Sequence, residues 1–292
     1  MRKTVVVMAV LAFGLSFAVA EPLMLEQAGT VNEKGMLEMG LGDISYQTDL
    51  VTLLNPAGIE VSKLTNTSTV FSLYSRYAFS EKIECTLNIP YLMLSSKQEP
   101  VGGAATTTDD AGLGDVQASA KYSFDQCGRC GWLTAAGLAL SLPTGKQSTK
   151  FPESFRNGLN MKPSFMASKG LGKYSANINL SYEITAEYED ASDFKTKQDP
   201  GDVLSAGVGL EYPKSERTSF IGEFVYKSLS ESKSAGAAVS GSSGSQMDLV
   251  CGLRHNRAGL KTKIGLVLAL GDEKYRTYDY KIIAGLTYLW KI

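Results

Sequence analysis

Between Tyr278 and Trp290 the chain reads YDYKIIAGLTYLW, and its alternate residues are of two kinds. Tyr278, Tyr280, Ile282, Ala284, Leu286, Tyr288 and Trp290 form an apolar row with aromatics at both ends. The intervening row includes Asp279, Lys281, Gly285 and Thr287. A period of two places successive side chains on opposite faces of a strand, whereas helical spacing would mix the two rows. An apolar face set against a mixed one is what a strand needs when one side meets lipid and the other a lumen. An edge strand of a soluble sheet satisfies the same pattern, so the question becomes whether the rest of the chain repeats it.

The alternation recurs in Gly35 to Thr48, with Leu37, Met39 and Leu41 on one face, then in Ser68 to Phe79 and Ile83 to Ser95. It returns in Gly114 to Phe124, Trp132 to Leu142, Gly158 to Ser168 and Lys173 to Tyr188. Asp202 to Tyr212, Thr218 to Leu229, Gln246 to His255 and Leu260 to Leu270 complete the set, making about twelve strands with the closing one. The connections alternate as well: long polar stretches near residues 50, 105, 150, 195, 235 and 273, short turns near 81, 128, 171, 215 and 257. Even-stranded bacterial barrels keep short turns and both termini on the periplasmic side and long loops outside. A soluble sandwich gives no reason for that rhythm or for tyrosine and tryptophan at strand ends. A closed barrel also leaves no unpaired edge in lipid, where each unmade hydrogen bond costs several kcal/mol. The sequence therefore predicts an all-β fold, a transmembrane antiparallel up-and-down β-barrel of about twelve strands over residues 35–292, with both termini periplasmic. The Ser/Gly/Ala stretch from Ser230 to Ser245 separates like from like, so it reads as an external loop rather than a domain linker.

At the N-terminus, Arg2 and Lys3, an apolar run from Val5 to about Phe17, and Ala18-Val19-Ala20 have the three regions of a cleavable secretory signal. Residues 1–20 are expected to be removed, leaving 21–34 as a polar lead in the periplasm or in the lumen. Loss of Arg2 and Lys3 reduces the 29 Lys and Arg to 27, against 30 Asp and Glu. That balance offers no basic surface for nucleic acid. An exported chain carries its cysteines into an oxidising compartment. Cys127 and Cys130 have a spacing used by redox motifs, by half-sites for zinc and by disulfide clips. With no thioredoxin-like context and no further ligands nearby, a disulfide in a turn fits best. Cys85 and Cys251 fall inside strands as small apolar wall residues.

The tail Gly285-Leu286-Thr287-Tyr288-Leu289-Trp290 resembles the C-terminal signal by which outer-membrane barrels are recognised by the barrel-assembly machinery, although Lys291 and Ile292 follow the aromatic. Three further stretches carry a family resemblance. Arg76-Tyr77-Ala78-Phe79-Ser80-Glu81-Lys82-Ile83-Glu84 leads to Pro90-Tyr91; Gly112-Leu113-Gly114-Asp115-Val116 leads to Lys121-Tyr122; and Leu142-Pro143-Thr144-Gly145 ends a strand. In their order and spacing these resemble the outer-membrane family named for the meta pathway of phenol degradation. The resemblance implies an outer-membrane barrel in contact with outer-membrane lipid, admitting small hydrophobic or aromatic solutes. It supplies no binding residues. A second Gly40-Leu41-Gly42-Asp43 repeats the glycine motif in the first strand.

Strand parity gives the candidate lumen-facing charges: Arg76, Asp115, Lys121, Glu183, Glu187, Glu223, Lys263 and Lys281 lead a set that also includes Lys82, Glu84, Lys162, Lys227, Lys261 and Asp279. Their mixed signs suggest internal ion pairs partly filling the bore, rather than the single-sign ladder of an ion-selective porin. Three inward rows are small or apolar and mark a possible open wall, with Gly137, Gly207, Gly209 and Gly265 at their centres. Glycines also relieve strain in curved sheets, which is the competing explanation. The sole histidine, His255, sits beside a short turn, on the wrong rim for an outer-membrane phospholipase that acts from the outer leaflet. No catalytic residue, metal site or cofactor is expected. The sequence thus points to a passive channel for small, hydrophobic or aromatic solutes; the alternatives are a closed barrel acting through its external loops and, behind it, a hydrolase.

Overall fold

The computed structural model describes residues 32–54, 60–124, 131–146, 148–151, 158–189, 197–270 and 278–292. In chain order the strands are β1 (Met36–Leu54), β2 (Glu60–Ala78), β3 (Ile83–Pro100), β4 (Thr106–Leu113), β5 (Val116–Ser123), β6 (Leu133–Leu142), β7 (Asn160–Leu171) and β8 (Tyr174–Glu183). They continue as β9 (Tyr188–Glu189), β10 (Lys197–Asp199), β11 (Val203–Pro213), β12 (Thr218–Leu229), β13 (Lys233–Ser234), β14 (Ala237–Ala238), β15 (Gly244–Arg257), β16 (Leu260–Leu270) and β17 (Tyr280–Lys291). Neighbours pair antiparallel from β1 onward, and β17 returns to pair with β1. Because β4 and β5 both pair with β3 and together make one interrupted wall strand, the result is a closed 12-strand barrel. Twelve strands 4.8 Å apart, tilted by about 40°, close at a backbone radius of about 12 Å.

Sequence explains which face points where. Exposed outer residues such as Leu73, Leu87, Phe165, Leu180, Val208, Leu266 and Leu286 alternate with buried inner ones such as Ser72, Asn177, Ser181, Glu223 and Asp248. At the short-turn end the outward aromatics touch in pairs: Tyr77 with Phe79, Tyr122 with Phe124, Tyr174 with Tyr212 and Tyr288 with Trp290, at 4.7–5.5 Å between ring centroids. Lys169 and Lys214 place ammonium groups over Trp132 and Phe220 at the same rim. This is the aromatic girdle of a membrane barrel with cations snorkelling at its edge. Tyr46, Tyr91, Tyr182 and Tyr280 mark the other border of the apolar band.

Several expectations are corrected. The long stretches near 50 and 105, expected as loops, are largely strand: β1 to β3 run past the apolar band, and β4 continues the wall beside them after a short turn at 101–105. There the outer face turns polar, with ion pairs Lys63–Glu60 and Lys97–Glu99, as expected of wall standing in water. Parity also flips within β1. Leu41 and Asp43 oppose adjacent residues Leu73 and Ser72, so Gly42 is an extra residue that shifts the outward row from Leu37, Met39 and Leu41 to Ile44 and Tyr46. The strand expected to reach Tyr188 ends at Glu183, and Tyr188 is buried in β9. Tyr278, expected outside, lies in a bend before β17 and is buried within the barrel, bonded to Asp248 and Gln246. The Ser/Gly/Ala loop is partly ordered as β13 and β14, which extend a small sheet through β10 to β9 above the wall. The expected signal at 1–20 and the Cys127–Cys130 turn lie outside the described residues.

Candidate functional site

The interior is organised in layers. At the turn end a buried network runs along the inner face of neighbouring strands β16, β17, β1, β2, β3 and β5. Arg76 Nη2 donates to Glu38 Oε2 at 2.5 Å, and its Nη1 lies 3.6 Å from Glu84 Oε1. Lys261 and Thr287 donate to Glu38 at 2.8 and 2.6 Å, while Lys121 Nζ lies 3.0 Å from Glu84 Oε1. Tyr74 stacks beneath the guanidinium at 5.7 Å. The backbone amide of Asn32, at the start of the described chain, donates to Glu84 Oε2 at 3.0 Å, so the N-terminal lead meets this layer. Glu38 was not among the expected charges, although the outward row of Leu37, Met39 and Leu41 already places it on the inner face.

Two glycine motifs prove to be geometric devices. A methyl at Gly40 would sit 2.2 Å from the carbonyl oxygen of Leu286, and one at Gly42 only 2.4 Å from Tyr74 Cβ. The seam where β1 closes on β17 therefore needs Gly40, and the bulge facing β2 needs Gly42. The second copy, Gly112 to Asp115, falls at the break between β4 and β5. A methyl at Gly114 would meet Leu92 Cδ1 at 2.4 Å. Asp115 does not project freely into the bore: its Oδ1 accepts from the amide of Gly145 at 2.8 Å, and Thr144 Oγ1 accepts from the amide of Val116 at 2.9 Å. The Leu142–Gly145 turn thus stitches the broken strand.

Beyond that turn the chain folds inward, although it was expected to be an external loop. Lys146 donates to Asp110 Oδ1 at 2.5 Å and to the Ala111 carbonyl at 3.0 Å; Ser148 also bonds Asp110, and caps the amides of Lys150 and Phe151. Burial works against ionisation of Asp110, but the bonds from Lys146, Ser148 and the Ala111 amide outweigh it and hold the carboxyl below the usual range. Phe151 is carried into the barrel mouth, onto inward-facing Leu92 and Leu94 with Val70 beside them.

The remaining candidates sort by sector. Lys121 and Arg76 are in the turn-end network. Glu183, Glu223 and Lys281 are buried on the inner face, and Lys263 points inward beside them; Glu187 is exposed in a segment beyond the end of β8, outside the wall. Lys227 pairs with Asp248 at 3.1 Å, and Arg254 with Glu211. On β6, β7, β8 and β11, by contrast, register aligns Gly137, Ser164, Ser181 and Ser205 in one row and Ala135, Met166, Asn179 and Gly207 in the next. These rows carry small, mostly uncharged side chains, while most charges lie on the other strands. Its glycines are not all vacant: Ser164 and Met166 occupy the space beside Gly137, and Glu223 that beside Gly209. Gly265 faces only backbone, at 3.4 Å or more. His255 lies exposed on the outer face near the short turn, its Nδ1 3.0 Å from the Thr218 hydroxyl.

A family model described as "Putative MetA-pathway of phenol degradation" matches residues 57–253. The chain belongs to that family. The match spans the Arg76, Gly112 and Leu142 motifs. No curated protein matches the chain by sequence. Among solved structures, an outer membrane channel from Pseudomonas putida F1 is similar at 14% identity, with 89% of this chain and 97% of that one covered and a TM-score of 0.70. The transport unit of the autotransporter AIDA-I from Escherichia coli is similar at 12% identity, covering 98% and 97%, with a TM-score of 0.53. Both share the fold of this family member.

Proposed function

We propose that the chain is an outer-membrane channel through which small solutes with hydrophobic or aromatic bodies enter passively. The observation that carries this reading is the uneven lining: the middle rows of β6, β7, β8 and β11 are built of small side chains, with charges such as Glu183 and Glu211 only toward the ends of that arc, while most charges lie on the other strands. At a radius of about 12 Å, a serine or glycine row leaves several ångströms that a lysine row would fill. Family membership and the shared fold with an outer membrane channel support the reading. In it, residues 1–20 direct export, 21–34 approach the turn end from the periplasm, both termini are periplasmic, and β17 is read by the assembly machinery. Transport needs no covalent chemistry.

A second reading, a closed barrel acting through its outer segments, draws on the turn-end network, which fills the inner face of six neighbouring strands, and on the small β9–β10–β13–β14 sheet. Conductance in planar bilayers separates the two. Under the channel reading Ser181→Trp, which intrudes on the small arc, lowers conductance severalfold; absence of any conductance in the unaltered barrel overturns it.

A further inference from the structure

The short-turn end of the barrel carries a basic arc. The turns after β7, β11 and β15 lie side by side there, because β8 pairs with β11 and β12 with β15. The Asn256 amide donates to the Arg217 carbonyl at 2.8 Å, and the Leu289 amide to the Gly259 carbonyl at 2.9 Å, which joins the last of these turns to the end of β17. Along this line Lys173, Lys214, Arg217 and Arg257 are exposed, and none of them forms an ion pair among the described residues. Lys291 and Lys34 extend the arc at the closing seam. The carboxylates described along it are Glu216 and Glu33, and Lys291 already engages Glu33 at 3.7 Å. The mouth differs: Lys63, Lys97, Lys146 and Lys233 each meet a carboxylate.

This uncompensated charge stands on the aromatic girdle. Lys169 Nζ lies 5.7 Å from the centroid of the Trp132 ring and Lys214 Nζ 5.5 Å from that of Phe220, while the Tyr174–Tyr212 and Tyr288–Trp290 pairs mark the same depth. Girdle rings sit at the level of lipid headgroups, so ammonium groups held over them meet headgroup phosphates rather than bulk water. We propose that the arc from Lys169 to Lys291 is a docking surface for anionic phospholipid, its cations taking the headgroup phosphates and the outward apolar rows below taking the acyl chains. The proposal rests on the membrane-barrel reading and adds a lipid partner to it; it does not require an open bore.

The chain's two tryptophans, Trp132 and Trp290, stand at the two ends of this arc, so quenching of their fluorescence by brominated lipid reports contact there. The refolded full chain, certified by heat-dependent electrophoretic mobility, is placed in phosphatidylcholine vesicles that hold the same small fraction of either brominated phosphatidylglycerol or brominated phosphatidylcholine. Phosphatidylglycerol is expected to quench as though enriched about fivefold, the scale of one cation at a charged lipid surface. The preference should vanish at ~1 M salt, where charges are screened within about 3 Å. It should fall toward parity in the double variant Lys173→Gln, Lys214→Gln, and stay unchanged in Lys63→Gln, Lys97→Gln at the mouth. Equal quenching by the two lipids, a preference that survives high salt or the turn-end substitutions, or one lost equally through the mouth substitutions would overturn the proposal. The salt comparison uses the unaltered chain and decides even where a variant fails to fold. Because both leaflets carry the probe, neither insertion direction nor an open pore affects the result, and failure here is distinguishable from failure of the channel reading, which flux or conductance reports.

Discussion

Arg76 is the side chain on which the interior depends most. Its guanidinium touches two carboxylates, Glu38 and Glu84, that are 2% and 3% exposed. Removing a shared partner from buried charges costs about 3–5 kcal/mol, well above the cost of losing a surface pair. Arg76→Met is therefore expected to lower the urea unfolding midpoint of the refolded barrel markedly, and Glu81→Gln in the exposed turn to leave it unchanged. The glycines give a second contrast. Gly40→Ala drives a methyl against the Leu286 carbonyl, whereas a methyl at Gly222 meets nothing within 4 Å. Strain from such overpacking is about 1–3 kcal/mol, so the same unfolding assay should rank Gly40→Ala well below Gly222→Ala.

At the scale of elements, the segment folded in from Lys146 to Phe151 is held by Asp110. A carboxyl held low in the fold contributes its full stabilisation above the unfolded value, near 3.8, and loses it as pH falls through the folded value. Acidification below pH 3.8 should then release Phe151 from Leu92 and Leu94, and conductance should rise. Asp110→Asn is expected to raise conductance at neutral pH and to remove the acid response; an unchanged pH profile would show that the clasp does not gate the mouth. The sequence made the strands legible because lipid on one side and lumen on the other enforce a period of two. It could not show the inward course of 146–151, which depends on a clasp between residues 36 apart, Asp110 and Lys146. Nor could parity survive the Gly42 bulge, where one inserted residue exchanges the faces, or the bend that turns Tyr278 inward. Glu187 was misplaced because alternation continues in the sequence past the point where β8 leaves the barrel.

For the whole molecule, β1 meeting β17 matters most, since closure joins the first and last wall strands and leaves neither as an edge to lipid. Within that cylinder most charges lie away from the rows of small residues on β6, β7, β8 and β11, and the channel reading follows from this asymmetry. Entry of solutes into liposomes carrying the refolded barrel tests it most directly, with neutral aromatics, aromatic acids and sugars of similar size compared after correction for protein-free leakage. The account predicts protein-dependent entry that favours the aromatics and falls in Ser181→Trp. No protein-dependent entry of any solute, from barrel shown to be folded, would contradict it.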